Sequence, residues 1–237
     1  MEGIKKQEWP ACAELSIKYI HAQCEKFSQS GVPSPAQLTS LIEIIDEFIF
    51  SWSPPGNNKS GGKRRSARLS YIQQLQLIQL LADYFNGDHD FNLLCSVFMI
   101  VFMVQGKEIE FKVSCLARLL SYSLSVQAVN IFNFGGVWLT QQSPTSSHSL
   151  AVARHLVSDL TSSMGSSCSQ LPSQSPWFST NLVAAIGELY SCPTTAGPPP
   201  LRLVQLVASW LGHTPTTPNS CSPPAVSLLP WSVMSPL

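Results

Sequence analysis

The chain has 237 residues, 14 basic and 14 acidic, so its formal net charge is +0 and bulk attraction to nucleic acid is excluded as its main means of binding. A 44% hydrophobic content excludes a wholly disordered chain, while 12% charged residues is about half the ~25% of ordinary soluble domains. Residues 1–118 carry 24 of the 28 charges, leaving Arg154, Asp159, Glu188 and Arg202 for the rest, a half either covered by a partner or solvated by Ser, Thr and Gln.

The first ten residues are charged (Glu2, Lys5, Lys6, Glu8) and no apolar run follows them, so no secretory leader is expected. Leu15 to Phe27 reads as a first helix. Ser34-Pro35 is a cap followed by a first-turn proline. After it Leu38, Leu41, Ile42, Ile45, Phe48 and Ile49 recur at helical spacing, and Glu43, Asp46 and Glu47 are assigned to a solvated opposite face. Ser53 to Ala67 is a loop rich in Pro, Gly and basic residues. Leu75, Ile78, Ala82 and Phe85 then form a stripe that Leu77, Leu81 and Tyr84 widen, so this helix meets more than one neighbour.

Leu93 to Met103 reads as a buried helix. The apolar run Leu93 to Val104 is twelve residues, short of the ~20 needed to span a bilayer. Ile109, Val113, Leu116, Ala117, Leu120 and Leu124 make the next stripe. Gln127 to Leu139 is a shorter segment weakened by Gly135-Gly136. Leu150, Ala153, Val157, Leu160 and Met164 repeat at three and four. Ser175-Pro176 opens a helix with Phe178, Leu182, Ile186 and Leu189, and Pro198 to Pro200 precede Leu201, Val204, Val207, Ala208 and Leu211. Beyond His213 six prolines prevent continuous helix. Alternation of the strand kind is scarce. The expectation is an all-α fold, an irregular α-solenoid or HEAT-like array of about nine antiparallel helices over residues 8–213. A Pro/Ser-rich, poorly ordered tail is expected over 214–237.

Catalytic signatures are missing. There is no G-x-S-x-G, no Walker A and no G-x-G-x-x-G. The seven cysteines are odd in number and spread out, which suits reduced thiols, and the five histidines are scattered, so neither a metal nor a cofactor is expected. Asp88-His89-Asp90 falls between two predicted helices, where an aspartate is ordinarily an N-cap. The sharpest polar feature is basic: Lys59, Lys63, Arg64, Arg65 and Arg68, with no acid among them. Three readings stand: a solvated loop, a nuclear-import signal, or a contact for an acidic partner made by Lys63, Arg64, Arg65 and Arg68. Direct nucleic-acid binding is disfavoured, because no aromatic residues interleave with the charges to stack bases.

Seven stretches in series resemble the Integrator complex subunit 15 family. They are Leu41 to Phe50 (LIEIIDEFIF), Tyr71 to Phe85 (YIQQLQLIQLLADYF), Phe102 to Gly106 (FMVQG), Leu116 to Leu139, Val152 to Leu160 (VARHLVSDL), Ser175 to Tyr190 (SPWFSTNLVAAIGELY) and Leu203 to Leu211 (LVQLVASWL). Each alone is an unspecific amphipathic helix; their order carries the resemblance. It implies a nuclear, non-catalytic scaffold subunit acting through other Integrator subunits, associated indirectly with RNA polymerase II. Small nuclear RNA 3′-end processing and transcription attenuation are the processes it would serve. It implies no catalytic residue, no cofactor, no direct nucleic-acid contact and no membrane. Longer members of the family continue with a further helical half. The alternative is a generic helical adaptor outside Integrator.

Overall fold

A computed structural model describes residues 9–52, 67–143, 146–162, 176–191 and 198–213. Nine α-helices are present among them: α1 (Trp9–Ser30), α2 (Pro35–Ile44), α3 (Tyr71–Phe85), α4 (Phe91–Val101), α5 (Ile109–Val126), α6 (Val129–Gln142), α7 (Ser147–Ser162), α8 (Pro176–Ser191) and α9 (Leu201–His213). The all-α expectation holds, with one small addition. Ser51–Trp52 (β1) pairs antiparallel with Ala67–Arg68 (β2), Ser51 opposite Arg68 and Trp52 opposite Ala67. The segment expected as a loop therefore has both ends fixed on one short ladder. The tail after His213 lies outside the described residues.

The chain divides into two compact units at Cys115/Leu116. In the first, local chemistry sets the helix starts. Ser34 caps α2 and Ser70 caps α3, each exchanging bonds with a glutamine three residues on, Gln37 and Gln73. This reciprocal pair satisfies two backbone donors that a helix start leaves open. Asp90 caps α4 by accepting from the Leu93 amide at 2.9 Å, the role expected of the Asp88-His89-Asp90 cluster. Gly31 ends α1 at φ +99°, donating to the Phe27 carbonyl at 2.9 Å.

α1 is the hub of this unit, touching α3, α4 and the turn after α2. Beside it an aromatic chain runs Phe85–Phe98–Phe102–Phe50–Phe111, with ring centroids 4.8–6.1 Å apart. Such tilted and edge-on pairs add roughly 0.5–1.5 kcal/mol each beyond area burial. α3 buries Leu77, Ile78, Leu81, Ala82 and Phe85, but Leu75, expected in that stripe, is exposed. The stripe is narrower at the start of the helix than its composition suggests.

In the second unit α8 packs on both α6 and α7, and α9 packs on α7. Gly135 and Gly136 do not break α6; both are buried within it. Asn181 of α8 donates to the Gly136 carbonyl at 3.4 Å. Leu182, Ala185, Ile186, Val152, Leu156 and Trp138 fill the interior at 2% exposure or less.

Candidate functional site: a buried ion pair, two polar clusters and an apolar face

One assignment is overturned. Asp46 is not on a solvated face but 9% exposed, whereas its neighbours Glu43 and Glu47 are exposed as expected. The residue stands four after Ile42 and three before Ile49, at the edge of the apolar stripe and not opposite it. There it meets Lys112 of α5, with Nζ 2.6 Å from Oδ1. Around it, after Ile44, the helix continues through Ile45–Ile49 as a π turn with one extra residue, closed by the Phe50 amide on the Ile45 carbonyl at 3.1 Å. Lys112 is itself 2% exposed. Its ammonium also donates to the Gln105 carbonyl at 2.9 Å and lies 5.9 Å from the Phe50 ring centroid.

The other carboxylate oxygen accepts from the Lys107 amide at 2.8 Å. Between Gln105 and Lys107, Gly106 adopts φ +95° and lies so close to the carboxylate that an added Cβ would collide with it and with Ile42 Cγ2. Only glycine fits there. The ion pair and these bonds tie the π turn to the α4–α5 connection. Sequence reasoning missed it, although Lys112 gave a signal. It stands three residues after Ile109 and four before Leu116, inside the apolar stripe of α5.

The second cluster joins α1, α3 and the connection to α4. His21 Nδ1 is 2.5 Å from the Tyr84 hydroxyl, and the His21 and His89 rings lie 5.1 Å apart at 64°. Burial, with Cys24 adding to it, pushes the Tyr84 hydroxyl up to about 12. Burial pushes the Cys24 thiol up to about 11. At neutral pH both keep their protons, so neither is an activated nucleophile.

In the second unit Ser121 donates to Asp159 Oδ2, and His155 Nε2 lies 3.7 Å from the same oxygen. Serine, histidine and aspartate meet in the wrong order for nucleophilic catalysis. The carboxylate, not an imidazole, takes the serine's bond, and a carboxylate is a far weaker base than an imidazole for a hydroxyl proton. The arrangement fastens α5 to α7. Among the described residues no three His, Cys, Asp or Glu side chains are grouped to hold a metal, and no helix is long and apolar enough to cross a membrane.

The surface offers more. Tyr71, Ile72 and Leu75 are 68%, 69% and 54% exposed and adjoin one another on the first turns of α3. Farther along, Gln76, Gln79, Leu80, Asp83 and Tyr84 form a groove of about 450 Å³ with Ile17 and its neighbours on α1. Of the basic residues singled out in the sequence, Lys63, Arg64 and Arg65 lie outside the described residues. Arg68 is placed by its backbone in β2, two residues before the cap of α3.

A sequence model of Integrator complex subunit 15 matches residues 2–237. The chain belongs to the Integrator complex subunit 15 family. It is 30% identical over 230 residues to the Danio rerio protein of that name, covering 88% of this chain and 47% of the relative. It is 26% identical over 261 residues to the Drosophila melanogaster protein, covering 99% and 66%. To the Homo sapiens protein it is 25% identical over 230 residues, covering 87% and 49%. The chain thus spans about half the length of the two vertebrate relatives. The seven stretches that resemble the Integrator subunit 15 family fall on α2 with its π turn, α3, the α4–α5 connection, α5 with α6, α7, α8 and α9. Asp46 and Gly106 lie within two of them.

Proposed function

We propose that this chain is a non-catalytic scaffold subunit of the Integrator complex, working in the nucleus through contacts with other Integrator subunits. The family match across residues 2–237 carries this reading. The polar chemistry is compatible with it, since each of the three clusters described above holds elements of the fold together. Through its neighbours the subunit would support small nuclear RNA 3′-end processing and RNA polymerase II attenuation, with the polymerase an indirect partner. The basic residues Lys63, Arg64, Arg65 and Arg68 are proposed to aid nuclear import.

The deciding experiment is affinity purification of the tagged chain from nuclear extract, with crosslinking and mass spectrometry. Recovery of other Integrator subunits is expected. A folded, soluble chain that recovers none of them would be a generic adaptor instead, and fractionation would then find it outside the nucleus. For import, alanine at Lys63, Arg64, Arg65 and Arg68 is expected to shift the protein to the cytoplasm. Unchanged nuclear accumulation, with partner binding also blocked, ends that part of the proposal.

A further inference from the structure

The connector between α1 and α2 is open to solvent. Gly31 has free space where a Cβ would stand, Val32 is 96% exposed, and Ser34 is exposed with it. A hollow of about 650 Å³ between the end of α1 and the start of α4 borders Gly31, Val32 and Pro33. Ser34 itself lies at φ −68° and ψ 155°, extended backbone. Pro35 enforces this, because its ring clashes with a helical residue before it. The sequence holds six Ser-Pro pairs, and this one lies wholly among the described residues. An exposed, extended serine followed by a residue without an N–H is the form in which proline-directed kinases take their substrate.

Ser70 supplies an internal comparison. It builds the same capping box on α3 and is exposed as well. Tyr71 follows it, however, and its hydroxyl donates to Gln73 Oε1 at 2.9 Å. Among the described residues the Ser34 hydroxyl donates to none. It accepts from the Gln37 amide at 3.4 Å, a long bond. Opening the backbone around Ser34 is also cheap. Pro35, Ala36, Gln37, Thr39 and Ser40 are exposed and Leu38 is half-buried, so the first turn of α2 unwinds without uncovering core. Leu41 is the first buried side chain of that helix.

We propose that Ser34 is a phosphorylation site for a proline-directed serine kinase, and that its phosphate locks the start of α2. Ser34 Oγ attacks the γ-phosphorus of ATP. Its proton passes to the kinase's catalytic carboxylate, the bond to the bridging oxygen breaks, and ADP leaves. The acceptor is the hydroxyl; the helix start decides what the product does. Pro35 has no amide hydrogen, and the Leu38 amide already bonds the Ser34 carbonyl at 3.1 Å. The Ala36 and Gln37 amides are left for the phosphate. No acid stands in the first turn of α2 to repel it. Negative charge at the positive end of the helix then holds down the turn that the kinase had to open. The inference is independent of which assembly holds the chain.

The test incubates the full chain with magnesium-ATP and a recombinant kinase of the cyclin-dependent class, and places the phosphate by tandem mass spectrometry. Phosphate on Ser34 and none on Ser70 is expected. Pro35→Ala keeps the hydroxyl and should slow modification of Ser34 about tenfold or more. In the phosphorylated chain, backbone hydrogen exchange over Ala36 to Thr39 should slow about fivefold. The Ser34→Ala chain, treated in the same way, carries any phosphate taken by other Ser-Pro pairs and should show no such slowing. The tagged chain recovered from cultured cells under phosphatase inhibition should carry the same mark. The proposal is overturned if Ser34 stays unmodified in either setting, if Pro35→Ala is modified as fast, or if Ser70 is taken equally. Phosphate on Ser34 with exchange at the start of α2 unchanged or faster overturns the locking.

Discussion

The two units solve the same packing problem with different chemistry. The first carries most of the charge and takes some of it inside, where Asp46 and Lys112 join the π turn to the α4–α5 connection. The second has almost no charge to use. Ser123 and Ser149 are its buried polar side chains among the described residues, and Ser123 bonds back to the Leu119 carbonyl at 2.7 Å. On its outside, Ser125, Gln127, Thr140, Gln141, Ser158, Ser162 and Gln205 are exposed where lysines and glutamates would ordinarily stand. Neutral hydroxyls and amides solvate this unit. Few charges therefore do not require that the whole face be covered.

The contrast can be broken most violently from within. Leu81 is fully buried, so Leu81→Asp places a carboxylate with no partner among apolar neighbours. A loss of about 4 kcal/mol or more is expected, read as collapse of the cooperative melt; an unaltered melting temperature would make α3 peripheral. Next is the ion pair. Lys112→Ala strands a buried carboxylate and is expected to cost about 3–5 kcal/mol in urea unfolding. The double change Asp46→Leu/Lys112→Met should recover most of that, because the penalty lies in breaking the pair. In the second unit Arg202→Ala removes an exposed side chain with its bond to the Thr161 carbonyl and should cost about 1 kcal/mol.

Alkali sharpens the contrast differently. Cys24 has an ordinary value of 9.0 and a folded value of about 11; Tyr84 goes from 10.0 to about 12. In both the folded state holds its proton after the unfolded chain has released it. Stability is therefore full below pH 9, falls between 9 and 11 for the thiol, and falls between 10 and 12 for the phenol. Urea midpoints across that range should decline, and Cys24→Ala should delay the onset. The smallest effect belongs to Lys18→Ala. Its pair with Glu14 is exposed on both sides, and the change should move stability by less than about 0.5 kcal/mol.

Helix positions were readable because their signals are local. Ser34-Pro35 and Asp90 act as the caps their neighbours imply, and of the stripe Ile109, Val113, Leu116, Ala117, Leu120 and Leu124 all but the half-buried Ile109 are buried. What escaped reading depends on distant partners. Nothing within Leu41 to Phe50 announces the π turn, and charge alone groups Asp46 with Glu43 and Glu47, although it stands four residues after Ile42 at the edge of the apolar stripe. Leu75 misled for the opposite reason. It has the right spacing, but its side chain stays 54% exposed on the first turns of α3. The β1–β2 ladder is two residues long on each side, too short for any alternation to reveal.

The surplus residue in Ile45–Ile49 is absorbed within its own turn, since the Phe50 amide reaches the Ile45 carbonyl across five residues where an α turn would take four. Removing one amino acid from that bulge would leave Phe50 nearly in phase, still directed at Phe102 and Phe111. Removing Asp46 itself is the exception, because Lys112 would stay buried with no carboxylate opposite. Relatives of different length should gain or lose residues within the span bracketed by Trp52 and Ala67, where both ends are pinned together, and tolerate the loss of one residue from the bulge as long as that carboxylate is kept.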